Sequence, residues 1–361
     1  MYFQPDFLDE VRNRTGLADV VGRRTKLTKR GREFVGLCPF HKEKTPSFTV
    51  NEDKGFYHCF GCGAHGDVIR FVTETEALPF TEAVAKLASA AGLQLPAERP
   101  GDRERSERSK SLLDVVEAAA HWFQSHLAAQ AGQGARDYIA QRGVPDGIAA
   151  EFRLGFAPDR RTALKESLTT KGITEELLVQ AGLLIVPEDG GASYDRFRNR
   201  LIFPICDRRG RVIAFGGRAL GDARAKYLNS PETPLFHKGD VLYSLHRAAP
   251  PARDNGTLIV TEGYMDVIGL AAAGIGCAVA PLGTALTENQ IAALWRVVPE
   301  PTLCFDGDRA GKAAAYRAAE RAVPLLKPGH SLQFVMLPEG EDPDSLVRNQ
   351  GRSATDELLS R

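Results

Sequence analysis

Two groups of residues in this 361-residue chain could do chemistry by type and spacing. The first is Cys38-Pro39-Phe40-His41 followed by Cys59-Phe60-Gly61-Cys62, a C-x2-H-x17-C-x2-C array. Two-residue gaps let each pair turn back and present two ligands to one ion, and thiolates with an imidazole suit tetrahedral Zn(II). Four protein ligands leave no open position for a catalytic water, so the expectation is one structural zinc. His58 and His65 are rival ligands; His58 abuts Cys59, where neighbouring residues ligate awkwardly, and His65 lies outside the paired spacing. The second group is acidic: Glu262, Asp306, Asp308, Asp342 and Asp344. Five carboxylates crowd together only if a cation offsets their repulsion, and all-oxygen donors suit Mg(II) or Mn(II), one ion or more. Two such ions about 3.5–4 Å apart can activate an attacking oxygen and stabilise a leaving one in phosphoryl transfer. The bland alternative is that Asp306 and Asp342 only cap the helices that follow them.

The elements that must position these acids follow from residue 257 onward. Apolar runs at Thr257–Thr261, Gly276–Pro281, Thr302–Phe305 and Ser331–Leu337 alternate with helical patterns after Gly263, from Thr287 and from Arg309. That alternation predicts βαβ units with a parallel sheet. Glu262 then follows the first strand, Asp306 and Asp308 the third, and Asp342 and Asp344 the fourth. All five leave one edge, the carboxyl ends of the strands, where open α/β sheets bind ligands. Gly307–Lys312 imitates a P-loop but has one residue too few between its glycines, and Ala313 stands where Ser or Thr would bind metal.

Around the Cys/His array, Pro46–Val50 and Gly55–His58 alternate like hairpin strands. Phe34, Phe40, Phe48, Phe56, Tyr57 and Phe60 lie among Lys29, Arg30, Arg32, Lys42 and Lys44, a composition able to stack bases and neutralise phosphates, although some rings must fill the core. Helices are expected from Val68 and over Phe80–Ala91, closing a first domain near residue 95. Residues 96–110, PAERPGDRERSERSK, cannot bury themselves and read as a mobile linker. Cys206, Cys277 and Cys304 sit singly in apolar runs and read as small buried hydrophobes.

At 43% hydrophobic and 25% charged, with a mean hydropathy of −0.23, the chain is neither disordered nor membrane-embedded. The opening Met1-Tyr2-Phe3-Gln4-Pro5 lacks the regions of a secretion signal, and no apolar run reaches the roughly 18 residues of a spanning helix. A cytoplasmic location with no membrane partner is the expectation. The net charge of zero hides a segregation: Ser193–Arg247 holds 11 Lys/Arg against 5 Asp/Glu, whereas Glu262–Asp344 holds 6 against 11. Six further basic residues and no acid lie between Arg23 and Arg32.

Glu262-Gly263-Tyr264-Met265-Asp266, Asp306-Gly307-Asp308-Arg309-Ala310-Gly311 and Glu341-Asp342-Pro343-Asp344 resemble the topoisomerase–primase (TOPRIM) module. With the metal ribbon, Arg196–Ile205, Phe215-Gly216-Gly217-Arg218, Lys226–Thr233 and Phe236-His237-Lys238-Gly239, nearly the whole chain is similar to bacterial DNA primases. The resemblance implies a multidomain α/β and α+β fold: a zinc ribbon (1–95), the linker (96–110), an α+β part of a polymerase core (111–255), a TOPRIM-type parallel-sheet subdomain (256–345) and the start of a further helical region (346–361). It implies a DNA-dependent RNA polymerase laying short primers on single-stranded DNA from ribonucleoside triphosphates. Glu262, Asp306, Asp308, Asp342 and Asp344 would form its metal and catalytic centre, with Asp266 nearby. Arg142, Arg198, Arg200, Arg218, Lys226 and Lys238 would line a basic ridge for template and nucleotides. A monomer is expected, and the replicative helicase is an implied partner whose binding domain this chain lacks. The rival readings are a single-strand binding protein on a non-catalytic TOPRIM scaffold, and a TOPRIM nuclease or topoisomerase.

Overall fold

The computed structural model describes residues 3, 5–76, 78–95, 102–221, 223, 225–283 and 285–359. Two compact units divide the chain, Met1–Glu107 and Arg108–Arg361. In the first, five antiparallel strands lie in chain order: Leu27–Arg30, Glu33–Gly36, Phe48–Asn51, Phe56–Cys59 and His65–Gly66. The register sets Phe48 opposite Cys59 and Val50 opposite Tyr57, so one pleat face carries all four into the interior. Phe48 and Tyr57 stack with ring centroids 5.3 Å apart and Phe71 meets Tyr57 edge-on at 5.5 Å, while Phe56 and Phe60 stay exposed. Asp67 caps the helix Val68–Thr75 by accepting from the Arg70 N–H at 2.8 Å, and Phe80–Ala90 forms the next helix.

The charged stretch read as a linker departs from expectation. Residues 96–101 lie outside those described, and Asp102–Lys110 are the first turns of a helix, Asp102–Ala128. Polarity removes any reason to be buried, but Arg, Glu and Lys are good helix formers, and the apolar stripe Leu112, Val115, Val116, Ala119 and Phe123 anchors the same helix downstream.

The second unit carries two four-stranded sheets and a two-stranded one, Leu184–Ile185 paired with Tyr194–Asp195. Of the four-stranded sheets, the antiparallel one has the order Tyr227–Asn229, Val212–Ala219, Arg200–Cys206, Gly155–Ala157, with its two central strands buried along almost their whole length. The parallel one has the order Ala278–Val279, Ile259–Val260, Thr302–Phe305, Gln333–Met336. Ile259–Val260 therefore lies between the strands that follow it in sequence, and the border between Ile259–Val260 and Thr302–Phe305 is the topological switch point. The last helix, Pro343–Leu359, broken at Gly351 (φ 79°), packs on the helix Tyr264–Ala272 and buries Leu346 and Val347. Residues 346–359, where the start of a further helical region is expected, are helical and pack with the parallel-sheet half.

Candidate functional site

Cys38, His41, Cys59 and Cys62 converge, their ligand atoms all within 4.8 Å of one another. The Cys38 and Cys62 sulfurs are 3.8 Å apart, and the Cys59 sulfur lies 3.8 Å from His41 Nδ1. A tetrahedral zinc with bonds of about 2.3 Å to sulfur needs ligand separations of about 3.8 Å, so the donor set fits that ion. The other His41 nitrogen, Nε2, lies 3.3 Å from Glu43 Oε2, and Glu43 Oε1 accepts from the Cys38 N–H at 2.7 Å. Glu43 therefore orients the imidazole so that Nδ1 faces the sulfurs, a carboxylate–histidine pair typical of zinc centres. His58 and His65 stay outside the cluster; His65 Nδ1 lies 2.8 Å from the Gly63 carbonyl oxygen. Three thiols and an imidazole gathered in this way support zinc.

In the second unit, the strand ends at the switch point deliver the acids. The Asp306 N–H donates to Glu262 Oε1 at 3.0 Å, tying the ends of the two adjacent strands together. Two glycines allow the close approach: a Cβ on Gly311 would lie 2.2 Å from the Asp306 carbonyl oxygen, and one on Gly307 would lie 1.9 Å from that of Pro338. The backbone of 306–308 is thereby pressed against the loop that leads to Asp342, with the Gly307 N–H donating to the Glu341 carbonyl at 3.0 Å. This is the physical reason for the P-loop-like GDRAGK string. Asp308 caps the helix Arg309–Ala322 through the Gly311 N–H at 2.8 Å, and Asp342 accepts from the Ser345 N–H at 2.6 Å. The capping roles are thus real, but they fall on Asp308 and Asp342 and use one carboxylate oxygen of each.

Asp306 does not cap. Its Oδ1 is buried without a hydrogen-bond partner, and burial, then repulsion from Glu262, Asp342 and Asp308, pushes its carboxyl up to about 7. Burial also raises Glu262, and Asp266 is held well above the usual carboxylate range by burial and by Asp342 and Asp306. An orphaned buried carboxylate oxygen among mutually repelling carboxylates suits a hard divalent cation by its chemistry, but among the described residues only the Cys/His group, and no three of these acids, gathers its ligand atoms at metal-holding distance.

Asp344 is different. Its side chain is 1% exposed, and its Oδ2 accepts from Arg142 and, at 3.2 Å, from Arg348. The other oxygen sits where a side chain on Gly269 would be, 2.3 Å from the Cβ position. The two acids of Asp342-Pro343-Asp344 thus have separate environments, one at the crevice and one clamped by guanidiniums.

A pocket of about 280 Å³ joins the two sheets' contributions: Glu262, Asp266, Asp306 and Asp342 on one side, Arg142, Arg218 and Lys226 on the other. Arg218 lies over the Tyr138 ring at 3.9 Å. Asn229 and Tyr264, not singled out from sequence, also line it; the Tyr264 hydroxyl donates to Asn229 Oδ1 at 2.7 Å. The remaining ridge residues do not line it. Arg198 is exposed beside the Tyr194 ring, at 5.0 Å, and Lys238 lies on a separate turn, its N–H donating to Glu232. Arg200 is buried and donates to the carbonyls of Gly217, Ala225 and Lys226 at 3.0–3.2 Å, so it holds the loop that carries Lys226.

Residues 3–103 match the family model of the CHC2 zinc finger, 122–249 that of the N-terminal domain of the DNA primase catalytic core, and 256–336 that of the Toprim domain. A DNA primase from Pseudomonas aeruginosa is 49% identical over 352 residues, covering 96% of this chain and 53% of that protein. The chain spans about half the length of such relatives. The crystal structure of the Aquifex aeolicus primase, comprising zinc-binding and RNA polymerase domains, is 34% identical, covers 99% of this chain and 85% of its own, and has a TM-score of 0.64. A primase catalytic domain bound to single-stranded DNA is 43% identical, covers 71% of this chain and 82% of its own, and has a TM-score of 0.65. With a zinc ribbon, a primase core and a Toprim sheet in this order, and identity of this extent, the chain belongs to the DNA primase family.

Proposed function

We propose that this chain synthesises short RNA primers on single-stranded DNA by nucleotidyl transfer from ribonucleoside triphosphates. The observation that carries the reading is a crevice with acids on one wall and cations on the other at the sheet's switch point. Mg(II) or Mn(II) held by Glu262, Asp306, Asp308 and Asp342 would supply Lewis acidity to the phosphoryl group and lower the pKa of an attacking hydroxyl. Around it, Arg218 and Lys226 hold nucleotide or template phosphates, with Arg142 fixed beside them by Asp344. Arg198 and Lys238 extend the phosphate-binding surface away from the pocket. Glu262, at the strand end beside Asp306, would either complete the set of ligands or manage the proton of the 3′-hydroxyl. The template assignment draws on the relative whose catalytic domain is bound to single-stranded DNA. One structural zinc at Cys38, His41, Cys59 and Cys62 keeps the ribbon folded and takes no part in the reaction. Action in the cytoplasm fits a chain in which, among the described residues, no helix is long and apolar enough to cross a membrane.

The test is direct: single-stranded DNA, the four ribonucleotides and Mg(II) are expected to yield short RNA. Asp306→Asn with Asp308→Asn should abolish the product while DNA binding persists. DNA cleavage without RNA synthesis would favour a nuclease, and binding without either reaction a scaffold.

A further inference from the structure

The basic run from Arg23 to Arg32 begins with two residues that neither the zinc centre nor the acidic crevice uses. Both look onto a separate cleft of about 480 Å³ inside the zinc-ribbon unit, formed by the segment around the short helix Leu17–Gly22 and by the helices Val68–Thr75 and Phe80–Ala90. Its floor is apolar, built from Phe71, Val72 and Leu87, all buried. Its rim carries Arg14, Arg23, Arg24 and Lys86 against Asp19 and Glu76. Glu76 pairs with Arg24 at 3.5 Å and Lys86 at 2.5 Å, and Glu10 pairs with Arg14 at 2.6 Å. Arg23 has no ion-pair partner among the described residues. Thr15, which also lines the cleft, has a buried hydroxyl without a hydrogen-bond partner.

The Thr15 hydroxyl has no partner of its own, so turned toward the cleft it would offer a donor to an acceptor on a ligand. The rim's excess of cations selects for an anion. A bare anion would leave the apolar floor wet, and an uncharged ring would leave Arg23 and Thr15 unmatched. The volume falls within the roughly 300–1,000 Å³ typical of small-molecule sites. We propose that this cleft binds a nucleoside 5′-phosphate, base on the floor of Phe71, Val72 and Leu87 and phosphate at Arg23 and Thr15. The ligand is either a free mononucleotide or the 5′-phosphorylated end of a strand. The inference stands apart from the crevice and from the polymerase reading.

The experiment is photolabelling of the full chain with 8-azidoadenosine 5′-monophosphate, followed by peptide mapping. Label is expected in peptides covering residues 14–24 or 71–91. It should fall at least tenfold in Arg23→Glu, and equally in Ala90→Trp, which fills the cleft without altering its charge, with far-UV circular dichroism and zinc content unchanged. Competition by AMP points to a free nucleotide, and stronger competition by a 5′-phosphorylated oligonucleotide points to a strand end. Label confined to crevice peptides, label unchanged in both variants, or competition as strong by adenosine as by AMP overturns the proposal. So does competition by a peptide of Asp, Glu and Phe when AMP has no effect.

Discussion

Replacing Asp344 with alanine separates a clamp from a metal ligand. Its carboxylate accepts from two guanidiniums, and its side chain is 1% exposed, whereas those of Arg142 and Arg348 are 25% and 37% exposed. Removing one partner of a fully buried pair costs about 3–5 kcal/mol. Both arginines here keep a path to water that screens the loss, so the expected cost is about 2–3 kcal/mol, the worth of one or two charge-assisted hydrogen bonds. Trp122 and Trp295 both belong to the second unit, so tryptophan fluorescence reports its unfolding. With a urea slope of about 3 kcal/mol/M, the midpoint should fall by about 0.7–1 M. Mg(II) should still raise the melting temperature of this variant, whereas Asp306→Asn should lose that rise. An unchanged urea midpoint together with loss of the Mg(II) effect would refute the clamp and return Asp344 to the metal.

Three other outcomes follow from the same geometry. Because Asp306 is raised to about 7, mainly by burial, the metal-free native state holds that proton more tightly than the unfolded chain does; its contribution to stability is full below about pH 4 and is lost as pH rises through 7. Mg(II) must displace the proton, so the Mg(II)-induced rise in melting temperature, read by scanning fluorimetry, should be larger at pH 8 than at pH 6; the reverse order would contradict the assignment. Glu43→Gln weakens the hold on His41 and should lower zinc affinity about 10- to 100-fold, measured by competition with a chromogenic chelator. Lys226→Ala should reduce the salt slope of single-strand binding by roughly 0.7 with stability intact, whereas Arg200→Ala, which removes a guanidinium bonded to three carbonyls, should lower the urea midpoint.

The parts legible in the sequence are those in which local spacing encodes geometry. The two-residue gaps at Cys38/His41 and Cys59/Cys62 place four ligands together, and the apolar runs ending at Glu262 and Asp306 put both acids at adjoining strand ends. Less legible was what each acid does there. In Asp342-Pro343-Asp344 the proline is the first residue of a helix, which makes Asp342 a cap and carries Asp344 into the helix's first turn, away from its neighbour. That signal was available in the sequence, as was a carboxylate two positions after His41. The partners of Asp344 and of Arg200 were not, because they are contacts set by packing between distant segments, and no periodicity reports them. Gly216 belongs to the same class: a Cβ there would lie 2.5 Å from the Tyr264 ring, a constraint that appears only once strand and helix have met.

The Arg142–Asp344 clamp spans 202 positions of chain. At a synthesis rate of about 5–20 residues per second, those positions take about 10–40 s to emerge, so Arg142 and its neighbouring sheet wait that long for their acidic counterpart. Closing so long a loop costs little more than closing one half its length, about 0.6 kcal/mol per doubling, but the contact comes late. The clamp therefore closes only after residue 344 has emerged, and any event that halts translation before it leaves the Arg142 guanidinium without its carboxylate.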